Sequence, residues 1–177
     1  MPGVVTRLSG RRAVIRIACA VVVAVFLGGC DRLAPTRVTI PADSAASEIG
    51  FRLSPRASAM LVSAYVNGTG PVDLIVDTGA TITCLDDSLA RELNLPRRTG
   101  AVGVGAGVGM AGPVRLLKVD SLRLGAAVAT NLTVCSLDLR TLQYVSPAAR
   151  GLLGLNFLKE FRVNIDFTRR VMQLTKP

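Results

Sequence analysis

The chain has 177 residues, half of them hydrophobic, with few aromatics, no tryptophan, no histidine and a net charge of +9. That length suits one domain with added segments, its core built from Val, Leu, Ile and Ala. The absence of histidine excludes Ser-His-Asp and Cys-His nucleophiles and every His-ligated metal site, leaving carboxylates, hydroxyls, thiols, lysine or a metal held by oxygen and sulfur.

Four of the basic residues, Arg7, Arg11, Arg12 and Arg16, precede an apolar run from Ile17 to Leu27. That run is short for a bilayer span, which needs ~20 residues, and suits the apolar region of a secretory signal. It ends in Leu27-Gly28-Gly29-Cys30, which resembles the lipobox of bacterial lipoproteins. The resemblance implies a signal peptide over residues 1–29 and a lipid on Cys30. The mature chain would then be anchored to a membrane of the cell envelope, facing the periplasm or the exterior. Outside this segment acids and bases are interspersed, with no basic run to suggest a nucleic-acid partner. Residues 30–56 are rich in Ala, Ser, Pro and charge and read as a flexible tether, with a short strand conceivable at 37–40.

The folded domain is expected over residues 57–177. Met60–Val66 and Val72–Val76 are β-prone runs flanking Asn67-Gly68, the pattern of a hairpin. The second run leads into Asp77-Thr78-Gly79-Ala80, and Thr81–Leu85 reads as a strand. Asp86, Asp87 and Ser88 offer caps for a helix over Leu89–Leu93, which Asn94 and Pro96 stop. A glycine-rich stretch, Gly100–Gly112, comes next. Strands are expected at Val114–Val119, Ser121–Leu124 and Leu132–Leu137. Gly151–Leu158 reads as a buried strand, a glycine turn and a short helix, followed by strands at Val163–Phe167 and Val171–Leu174. The class is all-β with two short helices.

The chemistry sits in Asp77-Thr78-Gly79. A carboxylate on a tight turn at the end of an apolar strand can act as acid and base. Thr78 offers a hydroxyl that can fix the turn, and Gly79 permits close backbone approach. Two such carboxylates sharing a proton can activate a water while protonating a scissile carbonyl. About 75 residues on, Leu152-Leu153-Gly154 answers the turn. Asp77-Thr78-Gly79-Ala80, the glycine-rich middle and Leu152-Leu153-Gly154 together resemble the retropepsin-like aspartic proteases, above all their exported bacterial members. The resemblance covers residues 60–174.

It implies a closed β-barrel protomer, an endopeptidase acting on protein or peptide substrates, and a homodimer in which each chain donates Asp77. It also implies a flap, carried here by Gly103, Gly105, Gly107, Gly109 and Gly112; a plain surface loop is the alternative. Those last glycines match a dinucleotide-binding spacing as well, but Pro113 and strand residues follow where a helix is required, so no cofactor and no metal are expected. Cys84 and Cys135 fall on strands that the family places side by side, as a disulfide or as two small buried hydrophobes. Two positions depart from the retroviral pattern: Thr81 stands where an acidic residue follows the turn, and Leu155 where Arg follows the second motif. A non-catalytic binding module on the same fold is the competing reading. Asp73, Asp120, Asp138 and Asp166 are expected at the surface.

Overall fold

The structure is a computed structural model that describes residues 35–41, 46–56, 58–107 and 110–176. Residues 1–34, including the signal segment and Cys30, and the flap glycine Gly109 lie outside the described residues.

The strands are β1 (Arg37–Thr39), β2 (Ser47–Leu53), β3 (Met60–Val66), β4 (Thr69–Val76), β5 (Cys84–Asp86), β6 (Arg97–Gly107), β7 (Met110–Leu124), β8 (Ala127–Leu137), β9 (Ala149–Leu153), β10 (Arg162–Asp166) and β11 (Val171–Thr175). Helix α1 (Asp87–Glu92) follows β5, α2 (Leu155–Leu158) follows β9, and a 3-10 turn spans Arg140–Tyr144. Strands β3, β4, β9, β5, β8 and β7 form a ring that closes where Tyr65 and Val66 of β3 pair with Arg123 and Leu122 of β7. This is the closed all-β barrel with two short helices that the resemblance implies.

The hairpin at Asn67-Gly68 follows from local chemistry. Both residues have positive φ, 49° and 80°, which Asn tolerates and Gly adopts without a Cβ clash. The Asn67 side chain also accepts the Ser121 N–H at 3.0 Å, tying the turn to β7. Within β3 the residues alternate: Val62, Ala64 and Val66 are buried in the barrel core with Leu74, Val119, Leu122 and Leu132. Leu61 points the other way, into a smaller cluster with Ile75, Ala149 and Leu152. A strand apolar on both faces reads as a continuous run rather than an alternating one, which is how Met60–Val66 reads.

Three sequence expectations change. Part of the segment read as a flexible tether is structured: β1 pairs with β8 and β2 pairs with β3 and β11. In β2 every second residue, Ser47, Ile49 and Phe51, is buried. The alternation was present in Ser-Glu-Ile-Gly-Phe but masked by the surrounding Ala, Ser and Pro. Next, Val114–Val119 and Ser121–Leu124 are not two strands but one, which runs through the exposed Asp120, ion-paired with Lys118. The strand expected over Thr81–Leu85 begins only at Cys84. The glycine-rich stretch is a β-hairpin, the form a flap takes, with Gly103 opposite Val114, Gly105 opposite Gly112 and Gly107 opposite Met110. Its outer part, beyond the β8 partners of β7, pairs only with itself among the described residues.

Candidate active site

Asp77 stands one residue beyond β4, at the mouth of a parallel pair. Strands β4 and β9 run side by side with Val76 opposite Leu153. The Asp77 N–H donates to the Leu153 carbonyl at 3.0 Å and so extends that ladder by one bond. The Asp77 carboxylate accepts the Gly79 N–H at 2.8 Å, and the Ala80 N–H donates to the Asp77 carbonyl at 3.2 Å. The turn is thus closed by the aspartate itself, a side chain bonding its own backbone two residues on. A Cβ on Gly79 would sit 3.2 Å from that carboxylate oxygen.

Thr78 plays a different part from the one expected. It is exposed, and its hydroxyl makes no hydrogen bond among the described residues. The turn is held without it, by the Gly79 N–H on Asp77 Oδ1 and the Ala80 N–H on the Asp77 carbonyl.

The second motif lies directly behind the turn. Leu152 pairs with Ile75 on one side and Cys84 on the other, so β9 is wedged between β4 and β5. Gly154 has no alternative: a Cβ there would meet the Ile82 carbonyl carbon at 2.5 Å, its oxygen at 2.6 Å and the Thr83 nitrogen at 2.8 Å. Real contacts are never so short, and backbone cannot move aside cheaply.

Beyond Gly154 the chain enters α2, whose first N–H groups have no partner within the helix. They are used on the loop after the Asp-Thr-Gly turn: Leu155 N–H donates to the Ala80 carbonyl at 2.8 Å, and Asn156 N–H to the Thr81 carbonyl at 3.1 Å. At the two departures from the retroviral pattern, Thr81 is exposed and Leu155 is partly exposed, at 37%.

A polar knot that sequence reasoning missed holds the same region. The Asn156 Oδ1 accepts both the N–H and the hydroxyl of the fully buried Thr83, each at 2.8 Å, while its Nδ2 donates to the Thr133 carbonyl at 2.7 Å. The Thr83 hydroxyl accepts the Gly154 N–H at 3.1 Å. One side chain thereby ties the end of the loop after Asp77, the second motif and β8 together. The available signal was a lone polar residue, Asn156, inside the apolar run Leu152–Leu158.

Cys84 and Cys135 are register partners in the parallel pair β5–β8. They are joined as a disulfide, with Cα atoms 4.4 Å apart and both residues buried. Asp86 is the N-cap of α1 and accepts N–H groups from Ser88 at 2.9 Å and Leu139 at 3.1 Å. Burial pushes its carboxyl up, but the Ser88 and Leu139 hydrogen bonds and the Arg150 charge outweigh burial and hold it below the usual range. Burial likewise pushes Asp87 up, and its bonds to Ser136 and Arg115 bring it down. Asp73, Asp120 and Asp138 pair with Arg52, Lys118 and Arg140 at the surface. Asp166 closes a turn through the Arg169 N–H.

Asp77 itself is half-buried and faces an open surface. Among the described residues no second carboxylate bonds to it. The hollow of about 720 Å³ lined by Arg56, Asp138, Arg140, Gln143, Tyr144 and Pro147 does not include it. A single carboxylate so placed can take or give one proton, but it cannot be base and acid at once.

A six-strand barrel that carries an Asp-Thr-Gly turn on its β4 end, backed by an apolar-apolar-Gly strand, has the design of an aspartic protease protomer. The family model described as aspartyl protease matches residues 62–157, more than half of the chain, and the chain belongs to that family. No curated protein matches the chain. Among solved structures, it is similar to the crystal structure of edgp, at 12% identity over 75% of this chain and 46% of that one, with a TM-score of 0.54. That likeness speaks to the fold alone. A retropepsin-like aspartic protease from Rickettsia conorii is 19% identical over 80% of this chain and 93% of its own, with a TM-score of 0.49. The retroviral protease-like domain of Ddi1 from Leishmania major is 18% identical over 68% of this chain and 95% of its own, with a TM-score of 0.44.

Proposed function

We propose that this chain is an aspartic endopeptidase in which two copies each contribute Asp77 to a shared proton, and that it works from a lipid anchor at Cys30 on the cell envelope. The observation that carries this reading is the state of Asp77: a carboxylate held by its own turn, open to the surface, and lacking a carboxylate partner among the described residues of its own chain. The reaction needs two carboxylates a few Å apart, one to take a proton from water and one to give a proton to the carbonyl. With one Asp-Thr-Gly turn per chain, a symmetric second copy is the simplest source, and two-fold pairs are the commonest oligomers.

In this reading the bonds to Leu153, Gly79 and Ala80 fix the aspartate, and the β6–β7 hairpin is the segment placed to cover a bound peptide. The test is hydrolysis of a peptide library by the full chain and by Asp77→Asn. The wild type should cleave and the variant should not, at equal folded content. Chains mixed in equal amounts should show about a quarter of wild-type activity, as random two-chain pairing requires. Cleavage that survives Asp77→Asn would remove the assignment. No cleavage by either protein would favour a binding module on the same fold.

A further inference from the structure

Acids and bases are interspersed along the sequence after Cys30, but the fold gathers bases on one face. Arg91 of α1, Arg97 of β6 and Arg115 of β7 line one hollow of about 620 Å³, together with Asn94 and Ser136. Beside it the Arg98 guanidinium donates to the Thr133 hydroxyl of β8, and Thr133 stands opposite Lys118 in the β7–β8 ladder. Three residues back along β8, Thr130 stands opposite Arg37 of β1. Six basic side chains thus run from the hollow to β1 against two acids: Asp87, paired with Arg115, and Asp120, paired with Lys118. Glu92, the other acid of α1, is paired with Arg150 instead. Arg37, Arg91, Arg97 and Arg98 have no ion-pair partner among the described residues.

The same face is where the chain arrives from its N-terminal side. Strand β1 is laid on β8 over Arg37–Thr39, and the Thr36 hydroxyl donates to the Asn131 carbonyl at 3.4 Å. Cys30 stands six positions before Thr36, so the chain between them spans at most about 20 Å. A lipid on Cys30 would hold Asn131 within about that distance of the headgroups, with Arg37 and Thr133 close by along β1 and β8.

We infer that this face, from Arg37 across Arg98 and Lys118 to Arg91, lies against a bilayer surface that carries anionic phospholipid headgroups. The inference rests on the lipid anchor proposed above for where the bilayer is; the charge supplies which face meets it. Each Lys or Arg near such a surface strengthens binding about fivefold, and it acts within a Debye length, about 8 Å at physiological salt. The short tether brings the headgroups near, and the unpaired arginines select the orientation. An acidic polypeptide would meet the same charge, but the tether brings the bilayer, not the polypeptide, to this face.

The experiment is arginine footprinting of the full chain in vesicles of phosphatidylcholine, alone or with roughly one third phosphatidylglycerol. Phenylglyoxal modifies the accessible arginines, and mass spectrometry locates them. Arg37, Arg91, Arg97 and Arg98 should react roughly threefold or more slowly in the anionic vesicles than in the neutral ones. Arg56 and Arg140, which line the other hollow, should react alike in both. The protection should vanish near ~1 M salt, where a charge is felt over only about 3 Å. It should also vanish at Arg91 and Arg98 when Arg37→Glu and Arg97→Glu are combined, which brings the charge of the face to zero. Both replaced side chains are exposed, and the salt comparison, which needs no variant, gives an independent reading should the variant not fold. Equal reactivity in both kinds of vesicle at every arginine, with Cys30 acylated, would overturn the face and leave the anchor standing. An unacylated Cys30 with the four arginines protected only by anionic vesicles would remove the anchor and leave the face, since the footprint reads charge however the chain is held. Polyglutamate that protects the four arginines where phosphatidylglycerol does not would assign the face to an acidic protein and overturn the bilayer contact.

Discussion

Replacing Asn156 by alanine tests whether the polar knot behind the Asp-Thr-Gly turn holds the candidate site together. The change removes three hydrogen bonds at once: two that Thr83 donates to Oδ1 and one that Nδ2 donates to the Thr133 carbonyl. Thr83 is fully buried, so its N–H and hydroxyl lose their partner where water does not replace it easily. An unsatisfied buried polar group costs about 1–3 kcal/mol. Asn156 is only half-buried, so water can enter from its side and the groups do not add in full. The expected loss is therefore about 2–3 kcal/mol, or a fall in Tm on the order of 10 °C for a domain of this size. Activity should fall further than folded content, because α2 carries the bonds to Ala80 and Thr81. Asn156→Asp should be no better: a carboxylate accepts from Thr83 but has no N–H for Thr133. Thermal unfolding followed by circular dichroism, with hydrolysis at a temperature where both proteins are folded, decides the matter. A Tm within about 2 °C of wild type would refute the reasoning, since even one orphaned buried group would show.

Exchange of both Cys84 and Cys135 for alanine should lower stability by about 4 kcal/mol on the loop-entropy model, given the 51-residue separation. Peptide mapping without reductant should recover the two cysteine peptides linked. Asp86 and Asp87 are both held below the usual carboxylate range. Their contribution is present above the unfolded value of about 3.9 and is lost as pH falls through their folded values. Tm should therefore drop below about pH 4, and Asp86→Asn should flatten that drop while lowering Tm at neutral pH; an unchanged slope would remove the assignment. Intact mass of the expressed protein should show a chain beginning at an acylated Cys30, and a mature chain that starts elsewhere with an unmodified Cys30 would end the lipoprotein proposal.

Much of this protein was legible one residue at a time. Asn67-Gly68 marks its hairpin because both residues accept positive φ. Asp86 marks a helix start because its carboxylate reaches Ser88 N–H. Asp-Thr-Gly closes its own turn through bonds that span three residues. These are local matters, and local chemistry shows in local sequence. What spans the barrel does not. Strand β2 looked like tether because its burial depends on β11, at the far end of the chain, as well as on the neighbouring β3. Asn156 looked like an ordinary polar residue on a short helix until the fold brought Thr83, 73 positions away, to its carbonyl oxygen. Gly154 reads as a turn glycine, yet the turn does not require it; the Ile82 carbonyl does, because it occupies the space a Cβ would need. The hairpin turn, the helix cap and the candidate acid could all be read from neighbouring residues alone. Which backbone passes close behind that acid became visible only in the fold, because it depends on contacts between segments that no local pattern encodes.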